Sequence, residues 1–239
     1  MIGIKSDVGN LRKLNEDYAE FYEDKNFKVF VVADGMGGHN SGEIASKIAT
    51  KSLIKYVKDN FKSYNIEELL RKAIKHANLK VYNLAYCNDN YNGMGTTLVA
   101  CLISDDMVQI ANVGDSSCFG INDNGIVKIT KDHSLVQELL DSGSISEEEA
   151  IKHPKKNVIT RAIGTKDTVE IDVFNIEKDK FKFFLMCSDG LTNEINVDDI
   201  SLYEIKEMKL QGVCERLVEL AKVKGGRDNI TVILFGGEV

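Results

Sequence analysis

Runs rich in β-branched and aromatic residues recur along the chain at 27–33, 96–103, 107–113, 117–121, 125–129, 181–187 and 230–235, and each predicts a strand. Only Ser104, Asp105 and Asp106 separate the second run from the third, and Asn122, Asp123, Asn124 and Gly125 lead from Ile121 into the next. Connections that short predict antiparallel neighbours, because a parallel crossover needs a dozen or more residues, so the middle of the chain reads as a meander. Helical periodicity runs through 43–62, marked by Ile44, Ile48, Ala49, Val57 and Phe61, and through 67–86, marked by Leu70, Ala73, Ala77, Val81 and Leu84. A third helical stretch, 210–224, runs into Gly225 and Gly226, which suit a helix C-terminus. The segment 132–160 is polar, acidic around 144–149 and briefly helical at 134–140, so it predicts an excursion between strands. Antiparallel strands with segregated long helices indicate an α+β chain.

Composition narrows the field. The 239 residues are 43% hydrophobic, enough for a buried core, and the single proline, Pro154, with no low-complexity or Pro/Gly/Ser-rich tract, leaves no internal boundary, so 1–239 reads as one domain. Thirty Lys and Arg against 37 Asp and Glu give a net charge of −7, which argues against a nucleic-acid partner. No apolar stretch approaches the ~20 residues of a membrane span, and the N-terminus has no signal-like apolar region, so a cytoplasmic chain without membrane insertion is expected. Cys87, Cys101, Cys118, Cys187 and Cys214 include no C-x-x-C pair and mostly sit in apolar runs, which predicts reduced, buried thiols. No sustained heptad is present, so a monomer is the default expectation.

Four aspartates fall beside strand ends. Asp34 follows FKVFVVA, Asp115 follows VQIANVG, Asp189 follows FFLMCS, and Asp228 precedes Asn229 and ITVILF. Any one Asp-Gly pair is ordinary turn chemistry. Four acids, each abutting a buried strand, can converge on one sheet edge, where an oxygen-only set would select a hard cation such as Mg²⁺ or Mn²⁺ and the cation would relieve their repulsion. The GMGGHNSG stretch after Asp34 is not a dinucleotide turn, since Asn40 holds the third glycine position and Asp34 would face the pyrophosphate. Near the N-terminus Arg12 precedes Glu16 and Asp17, a fork for phosphate beside acids that can hold metal-bound water.

Taken in order, SDVGNLRKLNED, VFVVADGMGGH, GTTL, ANVGDS, DHSLVQELLDSG, NVITRAIGT, CSDGLTNE and GGRDNITVIL resemble the metal-dependent protein serine/threonine phosphatases of the protein phosphatase 2C type in their bacterial form, from Ser6 to the last strand. The resemblance implies a central sandwich of two antiparallel sheets flanked on both sides by helices, with a binuclear metal site at one end. It implies that Asp34 bridges two divalent ions, Mn²⁺ or Mg²⁺, that the Gly35 carbonyl binds one of them, and that Asp189 and Asp228 hold the second. Glu16 and Asp17 then act through metal-bound waters, Arg12 binds the substrate phosphate, Asp115 with Asp189 matches a third-metal site of bacterial members, and 132–160 corresponds to a flap. The implied reaction is hydrolysis of phosphoserine and phosphothreonine in proteins by a metal-bridging hydroxide, opposing a serine/threonine kinase. None of the five cysteines has an arginine six residues on, so no cysteine-phosphatase motif competes.

Two positions depart from the family pattern. Met36 follows the Asp34-Gly35 pair where eukaryotic members carry a histidine proposed as general acid; His39, three residues on, is the candidate proton donor here, or it orients a loop or binds substrate. Ser117 replaces the arginine common after Gly-Asp-Ser, which should alter the polar support around Asp115. His76, His133 and His153 have no paired ligand pattern and read as structural or exposed. Hydrolysis of small phosphate esters or nucleotides is an alternative the acids leave open; a silent module that binds phosphoproteins or a partner is another, against which the presence of Asp34, Asp189 and Asp228 argues.

Overall fold

A computed structural model of the chain describes residues 1–37, 41–104, 107–196 and 209–237. One antiparallel sheet has the order β1 (Ile2–Asp7), β11 (Ile230–Gly236), β10 (Phe183–Cys187), β7 (Ser117–Asn122) and β8 (Gly125–Lys128). The other runs β2 (Asp17–Glu23), β3 (Phe27–Met36), β5 (Leu98–Ser104), β6 (Val108–Val113) and β9 (Asp172–Ile176), with the two-residue β4 (Gly95–Thr96) paired to the end of β3. Helices α1 (Ser41–Asn60) and α2 (Ile66–Cys87) cover the second sheet. The short α5 (Asp189–Thr192) and the longer α6 (Leu210–Lys224) cover the first. Two further short helices, α3 (Leu135–Asp141) and α4 (Glu147–Ile151), lie in the excursion between β8 and β9. The expected α+β sandwich with helices on both outer faces is therefore what forms.

Strand alternation sorts one apolar run into two cores. Successive side chains point to opposite faces, so Val29 and Val31 pack under α1 and α2 while Phe30 and Val32 face the other sheet. Leu98, Ala100 and Leu102 divide from Val99, Cys101 and Ile103 in the same way, as do Val232 and Leu234 from Ile233 and Phe235. Both faces of these central strands are buried, which is why they read as nearly continuous apolar runs. Between the sheets Phe30 and Phe235 stack with ring centroids 3.6 Å apart and planes 4° from parallel, and Phe184 lies 5.7 Å from Phe235.

Three strands escape the pattern: β1, β2 and β9. All are edge strands, with one neighbour each in the sheet order. An edge strand is half solvated and carries charge against further pairing, and β2 accordingly reads DYAEFYE. The meander also needs correction. Strands β5 and β6 form a hairpin in one sheet and β7 and β8 a hairpin in the other, and the chain crosses between sheets at 114–116. Gly114, at φ 109°, allows that corner. Nor does β3 stop at Ala33: it continues through Asp34 and Gly35 to Met36, because β2 and β4 supply partners there. Of the cysteines, Cys101, Cys118, Cys187 and Cys214 are buried and unpaired as expected, while Cys87 at the end of α2 is exposed.

The stacked rings make a direct forecast. Replacing Phe235 by alanine leaves a cavity between the sheets and should destabilise the chain by about 3–5 kcal/mol, lowering the melting temperature by roughly 10 °C. A thermal melt of Phe235→Ala unchanged from wild type would show that the inter-sheet core does not carry the fold.

Candidate active site

The end of β3, the corner after β6, the end of β10 and the start of β11 meet at one end of the sandwich, around a cleft of about 260 Å³. Its walls include Arg12, Glu16, Asp34, Gly35, Asp115, Asp189 and Asp228. Antiparallel register puts Asp17 directly opposite Asp34. Asp17 is only 6% exposed and stands behind the cleft, where Ser188 Oγ donates to its Oδ2 at 2.7 Å. His39 lies outside the described residues. Met36 and Thr97 complete the floor, and Asn157 and Ile159 reach in from the 132–160 excursion.

Backbone contacts set these positions. Gly35 N–H donates to the Glu16 carbonyl at 3.1 Å, and Ser46 Oγ of α1 donates to the same oxygen at 2.6 Å. A Cβ on Gly35 would run into the Gly42 and Glu16 carbonyls, so only glycine fits where β3 passes the start of α1. Thr96 Oγ1 and Thr97 N–H both donate to the Asp34 carbonyl at 2.8 Å, and Asp34 N–H donates to Thr97 Oγ1 at 3.0 Å. The GTTL motif thus holds the Asp34 backbone. Gly190 allows α5 to start against the Asn229 carbonyl, which any Cβ there would strike.

Several residues with no role assigned from sequence do the holding. Asn229 Nδ2 donates to the Val8 and Leu14 carbonyls, each at 2.9 Å, and its Oδ1 accepts from Glu16 N–H at 2.8 Å. One buried amide therefore fixes the loop that carries Arg12 and Glu16. Glu194, with its side chain 3% exposed, grips Arg227 Nε at 2.8 Å and Nη2 at 3.0 Å, one residue before Asp228. Asp228 in turn accepts from Arg12 Nη2 at 2.8 Å through Oδ2. The signal for Asn193, Glu194, Arg227 and Asn229 was their place inside the DGLTNE and GGRDN motifs, but Glu194 and Arg227 are 33 residues apart and Asn229 and Glu16 are 213 apart, so those pairings leave no local pattern to read.

The electrostatics are those of crowded carboxylates. Burial and the nearby acids push Asp17 up to about 7 and Asp115 up to about 8. Burial, with Asp17, Asp189 and Asp115 adding repulsion, pushes Asp34 well above the usual carboxylate range. Asp189 is raised by burial and Asp228, and Glu16 by burial. Asp17 Oδ1 and Asp189 Oδ1 are buried without a hydrogen-bond partner. Among the described residues no three acids or imidazoles are already closed into a cation cage. Unpartnered carboxylate oxygens and mutual repulsion in an all-oxygen set nevertheless fit a hard divalent cation, which would satisfy both.

The Asp115 corner is held from the excursion side. His133 is buried, its Nδ1 accepting from Gly114 N–H at 3.1 Å while Nε2 faces Asp172 Oδ2 at 3.2 Å and Arg161 Nη1 at 3.2 Å. That makes His133 structural. Ser116 Oγ pairs with Thr97 Oγ1 at 2.7 Å, whereas Ser117 Oγ is buried and makes no hydrogen bond, so support for this corner comes from Ser116 and His133.

Comparison with known proteins agrees with this arrangement. The sequence profile described as protein phosphatase 2C matches residues 12–222. The serine/threonine phosphatase stp of Listeria monocytogenes serovar 1/2a is 40% identical over 236 residues, covering 96% of this chain and 93% of its own. The crystal structure of serine/threonine phosphatase Stp1 from Staphylococcus aureus superposes with a TM-score of 0.89 at 37% identity, covering 100% of this chain and 95% of its own. The catalytic domain of the serine/threonine protein phosphatase PstP, solved in complex with two manganese ions, superposes with a TM-score of 0.82 at 30% identity, covering 98% and 96%. A two-sheet sandwich with an acid-lined cleft at its end is the architecture of a family of protein phosphatases. This chain belongs to the protein phosphatase 2C family.

Because the folded chain holds protons on Asp17 and Asp115 that the unfolded chain releases near pH 4, stability of metal-free protein should fall as pH rises from about 4 towards 8. A divalent cation held by this acid cluster would replace those protons. The melting-temperature gap between Mn²⁺-loaded and chelator-treated protein should therefore widen by several degrees across that window. A gap that stays constant from pH 5 to 8 would contradict the repulsion described here.

Proposed function

We propose that this chain is a metal-dependent protein serine/threonine phosphatase whose cleft hydrolyses phosphoserine and phosphothreonine in proteins. The observation that carries the reading is the convergence of Asp34, Asp189 and Asp228 on one cleft with Asp189 Oδ1 unpartnered and Arg12 alongside. Asp34, the Gly35 carbonyl, Asp189 and Asp228 would hold two ions, Mn²⁺ or Mg²⁺, with Asp34 between them. Asp115 and Asp189 would serve a third, and Glu16 and Asp17 would orient coordinated water. When bound, the cations would supply Lewis-acid activation of water at neutral pH and neutralise charge on the phosphoryl oxygens.

The chain's own groups do the rest. Arg12 gives one N–H to Asp228 and keeps the remainder of its planar fork for phosphate oxygens, so the same contact orients the guanidinium and tempers the carboxylate. Substrate held there exposes phosphorus to water on the acid-lined side, and the departing serine or threonine oxygen needs a proton, for which His39 is the proposed donor. Asn157 and Ile159 supply the rim contributed by 132–160, which we read as a flap on a single 1–239 domain.

A cytoplasmic monomer opposing a serine/threonine kinase completes the reading. Among the described residues no helix is long and apolar enough to cross a membrane. Four buried, unpaired thiols suit a reducing compartment.

Phosphate release from a phosphothreonine peptide, measured with Mn²⁺, with Mg²⁺ and with chelator, tests the proposal. Turnover should require the cation and fall by at least about 100-fold in Asp189→Ala, since removing even outer-sphere partners of a metal site loses 10–100-fold. Folded protein that binds Mn²⁺ but turns over a mononucleotide and no phosphopeptide would overturn the protein-substrate assignment.

A further inference from the structure

We propose that Asn193 is a positioning residue that couples seating of the 132–160 excursion to cation affinity at Asp189, with Lys156 as the contact that reports seating. The proposal rests on the reading of Asp189 as a cation ligand.

Asn193 stands one helical turn after Asp189, and its N–H closes that turn on the Asp189 carbonyl at 2.8 Å. Both ends of its side chain are engaged. Nδ2 donates to Asp189 Oδ2 at 2.9 Å, and Oδ1 accepts from Lys156 Nζ at 3.1 Å. The orientation of the amide follows from chemistry: reversed, it would set a donor against an ammonium and an acceptor against a carboxylate. Asn193 therefore occupies one Asp189 oxygen and leaves Oδ1, buried and without a partner, free for a ligand. Fixing one oxygen of a ligating carboxylate is how outer-sphere residues set the orientation and affinity of a metal site.

Lys156 comes from the other body. It lies in a turn closed by Lys156 N–H on the His153 carbonyl at 3.1 Å and Val158 N–H on the Lys155 carbonyl at 3.1 Å, directly before Asn157 on the cleft rim. Among the described residues, the other side-chain hydrogen bonds of 142–158 stay within the excursion. Its stems are bridged separately, by Ser134 against Ile159 and by Thr160 N–H on the His133 carbonyl at 2.8 Å. Glu194, the acid beside Asn193, is gripped by Arg227 and also feels the Lys156 charge, while the hydrogen bond of the ammonium goes to the neutral amide. When the excursion is seated, Lys156 polarises the Asn193 amide and holds it in the rotamer that Asp189 needs; when it lifts, Asn193 loses that restraint. Coupling of this kind is reciprocal, so a cation at Asp189 must favour the seated excursion.

The test is a Mn²⁺ titration of the full chain, with free ion followed by electron paramagnetic resonance, for wild type, Asp189→Ala, Asn193→Ala, Lys156→Gln and the Asn193→Ala/Lys156→Gln double variant. Asn193→Ala should weaken the site that Asp189→Ala removes by about 10-fold. Lys156→Gln should weaken it by about threefold, and the double variant should match Asn193→Ala alone, because the hydrogen bond to the amide carries the coupling. An unchanged affinity in Asn193→Ala, or a Lys156→Gln effect that persists in its background, overturns the coupling. Lys156 is exposed, so if Asn193→Ala does not fold, an unchanged affinity in Lys156→Gln is sufficient to overturn it. If Asp189→Ala leaves the isotherm untouched, the site reading itself has failed, a result distinguishable from loss of coupling alone. Reciprocity adds a second readout: Mn²⁺ should slow tryptic cleavage after Lys155 in wild type and not in Asn193→Ala, and equal slowing in both would contradict the proposal.

Discussion

Carboxylates brought together at the end of two packed sheets repel one another, and the rest of this structure is arranged around that fact. Asp17, Asp34, Asp115 and Asp189 each sit where burial and the others' charge disfavour ionisation. A flexible chain would let such groups drift apart into water. Here Asp34 lies at the end of β3, Asp115 and Asp189 follow the ends of β6 and β10, and Asp17 is paired to β3 across the register; with Phe30, Phe184 and Phe235 filling the space between the sheets, moving one acid means moving a packed strand. The interior supplies rigidity, and the end of the sandwich spends it on a strained arrangement.

Positioning at the cleft relies on side chains that bond to backbone far away in sequence. Asn229 gathers the Arg12 and Glu16 loop, Thr96 and Thr97 hold Asp34, and Glu194 holds Arg227 beside Asp228. Each neutral or paired group satisfies backbone polar atoms that the close approach of loops would otherwise leave buried and unbonded. Glycine is needed at just those crossings where backbone meets backbone, Gly35 over Gly42 and Gly190 over Asn229. Acids, clamps and glycines are therefore one unit: removing a clamp would loosen the ligands it serves without touching them.

The excursion from 132 to 160 is tied at its base to the same unit. His133 joins the Asp115 corner to Arg161 and Asp172, and the Thr96–Ile163 bridge joins the far stem to the strand that supports Asp34. Through Lys156 and Asn193 its tip also touches Asp189. Rim and acid cluster are thus mechanically connected at three points, which gives the excursion the means to influence chemistry that it does not itself perform.

The central strands, the long helices and the candidate acids are legible in the order of residues alone. Strands buried on both faces and amphipathic helices announce themselves through composition and period, and Asp34, Asp115, Asp189 and Asp228 stand out because an acid beside the end of an apolar run is a local feature. Edge strands β1, β2 and β9 were not legible, since half-solvated strands carry little apolar signal. Nor was the crossing at Gly114 that sends β6 and β7 into different sheets, because antiparallel hairpins look alike in sequence whichever sheet they join. Folding in three dimensions sets Asp17 behind the cleft while Glu16 lines it, and makes Asn193, Glu194 and Asn229 the clamps. For Glu194 and Asn229 this depends on which atoms distant in sequence come within hydrogen-bond reach of a side chain, a proximity that no local pattern of residues encodes.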